Sequence, residues 1–266
     1  MHRSGTSLIT NWLHHCGLQI GERLLEANQD NIEGHFEDVE FLRMHEEILK
    51  SNDLSPAGLV YDKEIDISEY QLEKLKSVIK VKNQRYKQWG WKEPRTCLFL
   101  NLYRELLPNS KYLVIVRDYS SVVNSLLKRD FALIEEKYLS RKLFSRLVWI
   151  HFRRSWKKRK FYRSNTEYFL KVWVEYNEHI LSMLKELPPE DYIVVNYSLL
   201  ENCDKQVFSF LTKTWHFALQ YFSFKEVYNK NLISNLIDID PFINDSTLLA
   251  KAKCVENNFK GYMKTY

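Results

Sequence analysis

Met1-His2-Arg3-Ser4-Gly5-Thr6-Ser7 opens the chain as an anion-binding loop that runs straight into a helix. Behind it, Leu8, Ile9, Trp12, Leu13 and Cys16 recur at helical spacing, and Gly17 is a stop signal. A helix N-terminus offers backbone N–H groups without intrahelical partners and a partial positive charge, which suits a phosphate or a sulfate. Gly5 lets the backbone approach an anion closely, and Arg3, Ser4, Thr6 and Ser7 add donors. Such loops normally follow a buried apolar strand. That strand is expected upstream of Met1; if it is lacking, the chain is a degenerate, inactive copy.

Working outward, Glu26 to Asp38 is a polar loop placed to hang over the anion site. Residues 39–50 and 68–88 are expected to be helical. Trp89-Gly90-Trp91-Lys92-Glu93-Pro94-Arg95 is expected to be a short strand ending in a turn, because Pro94 removes a donor and restrains Glu93. Thr96 is the expected cap of a helix running to Leu107. Tyr112 to Val116 is a nearly continuous apolar run of strand length, the pattern of a strand buried on both faces. A helix from about Ser120 to Arg129 follows. Tyr192 to Val195 is a further apolar strand, and residues 203–217 a further helix. Alternating strands and helices predict a single α/β domain over residues 1–266, with a P-loop-type parallel sheet flanked by helices on both faces. Ligands in such sheets bind beyond the carboxyl ends of the strands, where the opening loop, Lys92 to Arg95 and Arg117 fall.

A chain of 266 residues that is 45% hydrophobic has material for a real core, which argues against general disorder. Its formal charge of +5 is modest and does not point to wholesale nucleic-acid binding. Cys16, Cys97, Cys203 and Cys254 are far apart and form no CxxC pair, so neither zinc nor a disulfide framework is indicated. Their spacing fits a reducing, cytoplasmic compartment. No apolar run reaches the ~18 residues of a membrane span.

Arg117 ends the strand at 112–116, and Ser125 follows about two turns into the next helix. A guanidinium at a strand tip and a hydroxyl on the adjoining helix can grip one phosphate from two sides, with Arg binding its oxygens bidentately. A plain Arg117–Asp118 pair is the alternative. The loop lacks the Gly-x4-Gly-Lys-Ser/Thr pattern of nucleotide kinases and NTPases.

Taken together, Arg3-Ser4-Gly5-Thr6-Ser7, Lys92-Glu93-Pro94-Arg95 and Val116-Arg117-Asp118 with Ser125 resemble the sulfotransferases that use 3′-phosphoadenosine 5′-phosphosulfate (PAPS). The likeness is to the branch holding tyrosylprotein sulfotransferases and bacterial relatives, and it covers most of residues 1–130. Asn28 to Asp38 resembles a bacterial pattern that places a glutamate at position 37. The resemblance implies that Arg3, Ser4, Gly5, Thr6 and Ser7 hold the 5′-phosphosulfate and that Arg117 and Ser125 hold the 3′-phosphate. Tyr197, in a looser match at 194–200, is implied as a further donor-side residue. Lys92 is implied to stabilise charge on the donor, with Arg3 beside it. Glu37 is the candidate base for the acceptor hydroxyl, with His35 second. The expected acceptor is a glycan or glycolipid hydroxyl, and the chemistry requires no metal. Arg95 is expected at donor, acceptor or sheet edge, while His2, His14 and His15 read as surface or cap residues. The stripe Phe169, Val172, Trp173, Tyr176, Ile180 reads as core.

Residues 141–163 carry ten Lys and Arg with no Asp or Glu, interleaved with Leu143, Phe144, Leu147, Trp149, Ile150, Phe152 and Trp156. This falls within an expected helical insertion at about 137–165. Without those ten charges the chain would be net acidic. Three readings stay open: an amphipathic helix on an anionic membrane surface, a channel for an anionic acceptor, or a solvated helix face. No recognition motif for nucleic acid accompanies it. The alternative to an enzyme is a non-catalytic, sulfotransferase-like protein that binds anionic glycan or membrane through this segment.

Overall fold

Strand β1 (Tyr112–Val116) and strand β2 (Tyr192–Asn196) lie side by side in parallel, with Tyr112 opposite Tyr192 and Val116 opposite Asn196. The computed structural model describes residues 1–26, 34–196, 200–228 and 237–263. Among these residues, β1 and β2 are the whole sheet, and helices make up most of the rest. Because side chains alternate along a strand, the pair buries both faces. Val114, Val116 and Val194 face one hydrophobic cluster, and Leu113, Ile115, Ile193 and Val195 face another.

The first cluster is built by α5 (Tyr119–Leu139), α7 (Arg154–Glu186) and α9 (Ser246–Lys260). Phe169, Val172, Trp173, Tyr176 and Ile180 are buried in it, as their spacing predicts. The second cluster is built by α1 (Thr6–His15) and α8 (Leu200–Lys213), with Trp12 fully enclosed between them. Helices therefore cover both faces of the parallel pair, as expected. The expected helix at 203–217 starts earlier, at Leu200, and stops at Lys213. A third cluster joins α2 (Val39–Ser51), α3 (Glu69–Arg85) and α4 (Leu100–Leu106) around Phe41, Ile48, Leu75 and Tyr103.

Three expectations are corrected. Trp89 to Trp91 is not a strand: Gly90 donates to the Gln19 carbonyl at 2.9 Å, but no ladder forms. Its two indoles stack on Phe41 instead, Trp91 at 4.4 Å, so aromatic burial against α2 decides the path of this segment. The helix expected from Thr96 to Leu107 is a 3₁₀ turn at Pro94–Leu98 followed by α4. Thr96 is not its cap; the Glu93 carboxylate caps the turn and Thr96 accepts from the Trp91 indole at 3.1 Å. The helix expected to end near Arg129 continues to Leu139. The segment expected as a helical insertion at about 137–165 is helical over most of its length. It is the end of α5, then α6 (Leu143–Val148), a π turn at Trp149–Arg153 and the start of α7, which runs on into the core.

Candidate functional site: an anion cradle at the strand end

The opening loop curls because Arg3 and Gly5 both take left-handed backbone conformations, φ 61° and 84°. Gly5 is the N-cap of α1 and makes no side-chain cap bond, which leaves the N–H groups of the first turn facing outward. Turns of this kind concentrate backbone donors on one point and favour an anion there. Ser4 is buried beneath the loop, whereas Arg3, Thr6 and Ser7 remain accessible. At the other end of α1, Gly17 takes φ 96° and stops the helix as predicted, with His14 and His15 exposed in the last turn.

The parts expected to hold the two ends of a donor meet here. Arg117, just past β1, donates from Nη1 to the Arg3 carbonyl at 2.9 Å. Arg3 in turn donates from Nε to Ser125 Oγ, 2.7 Å away on α5. The Asp118 carboxylate caps α5 by accepting from Ser121 N at 2.7 Å. Two guanidinium groups, a hydroxyl and an open helix end therefore converge at the carboxyl end of β1. Tyr197 lies outside the described residues.

Lys92 reaches the same loop from the other side. Its Nζ donates to Ser7 Oγ at 3.1 Å, to the His35 carbonyl at 2.5 Å and to Glu37 Oε1 at 3.0 Å. Both members of the Lys92–Glu37 pair are buried, at 11% and 9% side-chain exposure. Burial pushes the Lys92 ammonium below the usual lysine range, and the Glu37 charge partly opposes that shift. The polar loop does reach the anion site, through residues 35 and 37; its residues 27–33 lie outside the described set. Glu37 is held by backbone pairing, Leu25 N to Glu37 O at 2.8 Å, and by the adjacent Asp38, which caps α2.

Sequence reasoning missed the support beneath Lys92. Glu93 is buried and accepts from Arg95 N at 2.9 Å, from the Arg95 guanidinium and from His45, whose Nδ1 is 2.5 Å away. His45 Nε2 is 2.7 Å from the Tyr103 hydroxyl. Burial alone would raise the Glu93 carboxyl, but the His45 hydrogen bond and the charges of His45 and Arg95 win, and it falls to about 2. Arg95 is thus an internal anchor, buried against Glu93 and Glu46. It also donates to the Pro56 carbonyl at 2.6 Å, against Gly58 (φ 70°), where a Cβ would lie 2.6 Å from Arg95 Cγ. The signal for His45 was its place on the apolar face of α2, among Phe41, Met44 and Ile48. His2 is half-buried. Its Nε2 is buried without a partner, and burial together with the Arg95 charge lowers the ring to about 3, so it is neutral at ordinary pH.

Fold and site define a parallel α/β protein in which two guanidinium groups, a hydroxyl and a helix N-terminus gather where β1 ends and α1 begins. The chain belongs to the sulfotransferase family: a model described as "Sulfotransferase family" matches residues 1–213. No curated protein and no solved structure matches it. The matched span contains every residue of the cradle and all but the last part of the core, α9 and what precedes it.

Proposed function

We propose that the protein transfers a sulfuryl group from PAPS to a hydroxyl of a glycan or glycolipid. The observation that carries this reading is the position of Lys92 Nζ, within 3.1 Å of both the anion loop at Ser7 and the carboxylate of Glu37. The residues present fit such a donor. An open helix end, Arg3, Thr6 and Ser7 suit its 5′-phosphosulfate, and Arg117 with Ser125 suits its 3′-phosphate. The donor supplies an activated sulfuryl group whose leaving oxygen belongs to a phosphate.

In the transfer, the acceptor oxygen bonds to sulfur as the bond from sulfur to the phosphate oxygen breaks. The electron pair leaves with adenosine 3′,5′-bisphosphate, and the acceptor proton goes to Glu37. A carboxylate fully engaged by a lysine is a poor base. An arriving anion competes for the Lys92 ammonium, so Lys92 turns from Glu37 toward the donor and leaves Glu37 able to accept the proton. Lys92 and Arg3 then neutralise the spreading negative charge. Glu93, His45 and Arg95 hold the Lys92 backbone in place.

The test is calorimetric titration of the folded protein with adenosine 3′,5′-bisphosphate. Binding is expected, and Arg117→Ala should weaken it at least tenfold, the order expected for losing a bidentate charged contact. A folded protein that does not bind this compound overturns the reading. Binding without transfer to any hydroxyl acceptor leaves the non-catalytic alternative.

A further inference from the structure

The last turns of α5, then α6, the π turn and the first turns of α7 project large apolar side chains into solvent. Phe144 is 79% exposed, Phe152 80% and Trp156 60%. Leu139, Leu143, Leu147 and Ile150 are exposed beside them. Single exposed apolar residues are ordinary, but a run of this size in about twenty residues marks a surface that something covers. Leu143, Leu147 and Ile150 stand at helical spacing, followed by Phe152 within the π turn and Trp156 in the first turn of α7.

The segment is nonetheless packed against α5. Trp149 is buried and stacks flat on Tyr138, with ring centroids 3.9 Å apart, and Arg154 pairs with Glu135 on α5. The apolar side chains are therefore displayed by a packed platform. Around them lie the ten cations of residues 141–163, and no acidic residue in that stretch. The ammonium groups of Lys157 and Lys160 each sit 5.6 Å from the Trp156 ring, placing charge at the rim of the apolar patch.

We propose that this face docks on an anionic lipid surface, with Phe144, Phe152 and Trp156 entering the headgroup–acyl boundary and the surrounding Lys and Arg meeting lipid phosphates. The mixture of chemistries selects this occupant. An anionic glycan pairs with the cations but offers nothing apolar for Leu143, Phe144 and Phe152. A second copy docked face to face would set ten cations against ten, with only Glu135 and Glu136 of α5 nearby on each side to offset them. An anionic bilayer takes both, because it combines negative headgroups with an apolar layer just beneath. The segment lies on the surface and does not cross it: among the described residues no helix is long and apolar enough to span a membrane. The patch does not share residues with the cradle. Ser125 and Leu139 are both on α5, about 20 Å apart at helical rise.

The test uses the full chain and sedimentation with vesicles of pure phosphatidylcholine or of phosphatidylcholine with about one third phosphatidylserine. Binding to the anionic vesicles is expected, at least tenfold stronger than to the neutral ones and weakened by salt. The triple variant Phe144→Ser, Phe152→Ser, Trp156→Ser keeps every charge and should bind at least tenfold more weakly. The variant Lys142→Gln, Arg146→Gln, Arg153→Gln keeps every apolar group and should lose most of the preference for phosphatidylserine. Thermal melting confirms that both remain folded, since all six side chains are exposed. Three results overturn the proposal: no binding to anionic vesicles, unchanged binding by the serine variant, or a dimer in sedimentation equilibrium that the serine variant dissolves. Heparin binding that survives in the serine variant while vesicle binding is absent assigns the face to glycan. None of these readouts involves the nucleotide, so failure here leaves the transferase reading standing.

Discussion

Two lysine–carboxylate pairs start from adjacent residues of one segment. Glu37 meets Lys92 at 3.0 Å, and Asp38 meets Lys82 at 2.8 Å. The second pair is the more deeply enclosed, with Lys82 at 3% and Asp38 at 1% side-chain exposure, and Lys82 also reaches Glu40 at 2.8 Å. Burial disfavours the Lys82 charge, but the hydrogen bonds from Asp38 and Glu40 prevail and raise its pKa. For Lys92, burial prevails and the pKa falls. Asp38 further caps α2, so its pair fastens the segment to α2 and α3. Lys92 instead faces the anion loop through Ser7. The lysine met by two carboxylates is a fastener, while the one met by a single carboxylate and two neutral oxygens has charge to offer a ligand.

The comparison breaks most visibly at Lys82. Lys82→Met strands a buried Asp38 carboxylate and should cost about 3–5 kcal/mol of stability in urea unfolding, while donor affinity of the folded fraction stays near wild type. Lys92→Met should do the reverse. Transfer should fall by roughly 10²–10³, with a smaller loss of stability than in Lys82→Met, because Glu37 is less deeply enclosed than Asp38. Equal stability losses in the two variants would remove the distinction drawn between them.

A third outcome concerns the anchor below Lys92. Glu93 is held at about 2, below the ordinary carboxylate value of 4.5. A depressed folded-state carboxyl contributes stability that is present above the unfolded value and lost as pH falls toward the folded one. About 3 kcal/mol should therefore disappear between roughly pH 4.5 and 2, and Glu93→Gln should flatten that part of the stability–pH curve. The smallest effect sharpens the Glu37 assignment. Glu37→Gln removes the charge that supports the Lys92 ammonium, so the alkaline limit of nucleotide binding should move to lower pH. An unmoved limit in calorimetry across pH would mean that the two groups are not coupled.

Much of the cradle was legible in the chain because its parts are local. A glycine between hydroxyl and arginine residues before a helical stripe, and an arginine after an apolar run, announce themselves within a few residues. Arg3, Arg117 and Ser125 lie together, as do Ser7, Lys92 and Glu37. The strand assigned to Trp89–Trp91 failed because two indoles found better burial on Phe41 than in a ladder, a preference set by α2. The burial of His2 Nε2 was not legible because nothing in its neighbours reveals Arg95 lying beside it.

The amino-acid sequence by itself determined the anion loop, the two parallel strands and the basic, aromatic character of residues 141–163, since these depend on spacing and composition along the chain. Tertiary structure alone decided which carboxylate fastens and which stays available, that Arg95 faces inward, and that Phe144, Phe152 and Trp156 face outward. Charge and burial are properties of what surrounds a side chain, and those surroundings are assembled from segments far apart in the sequence.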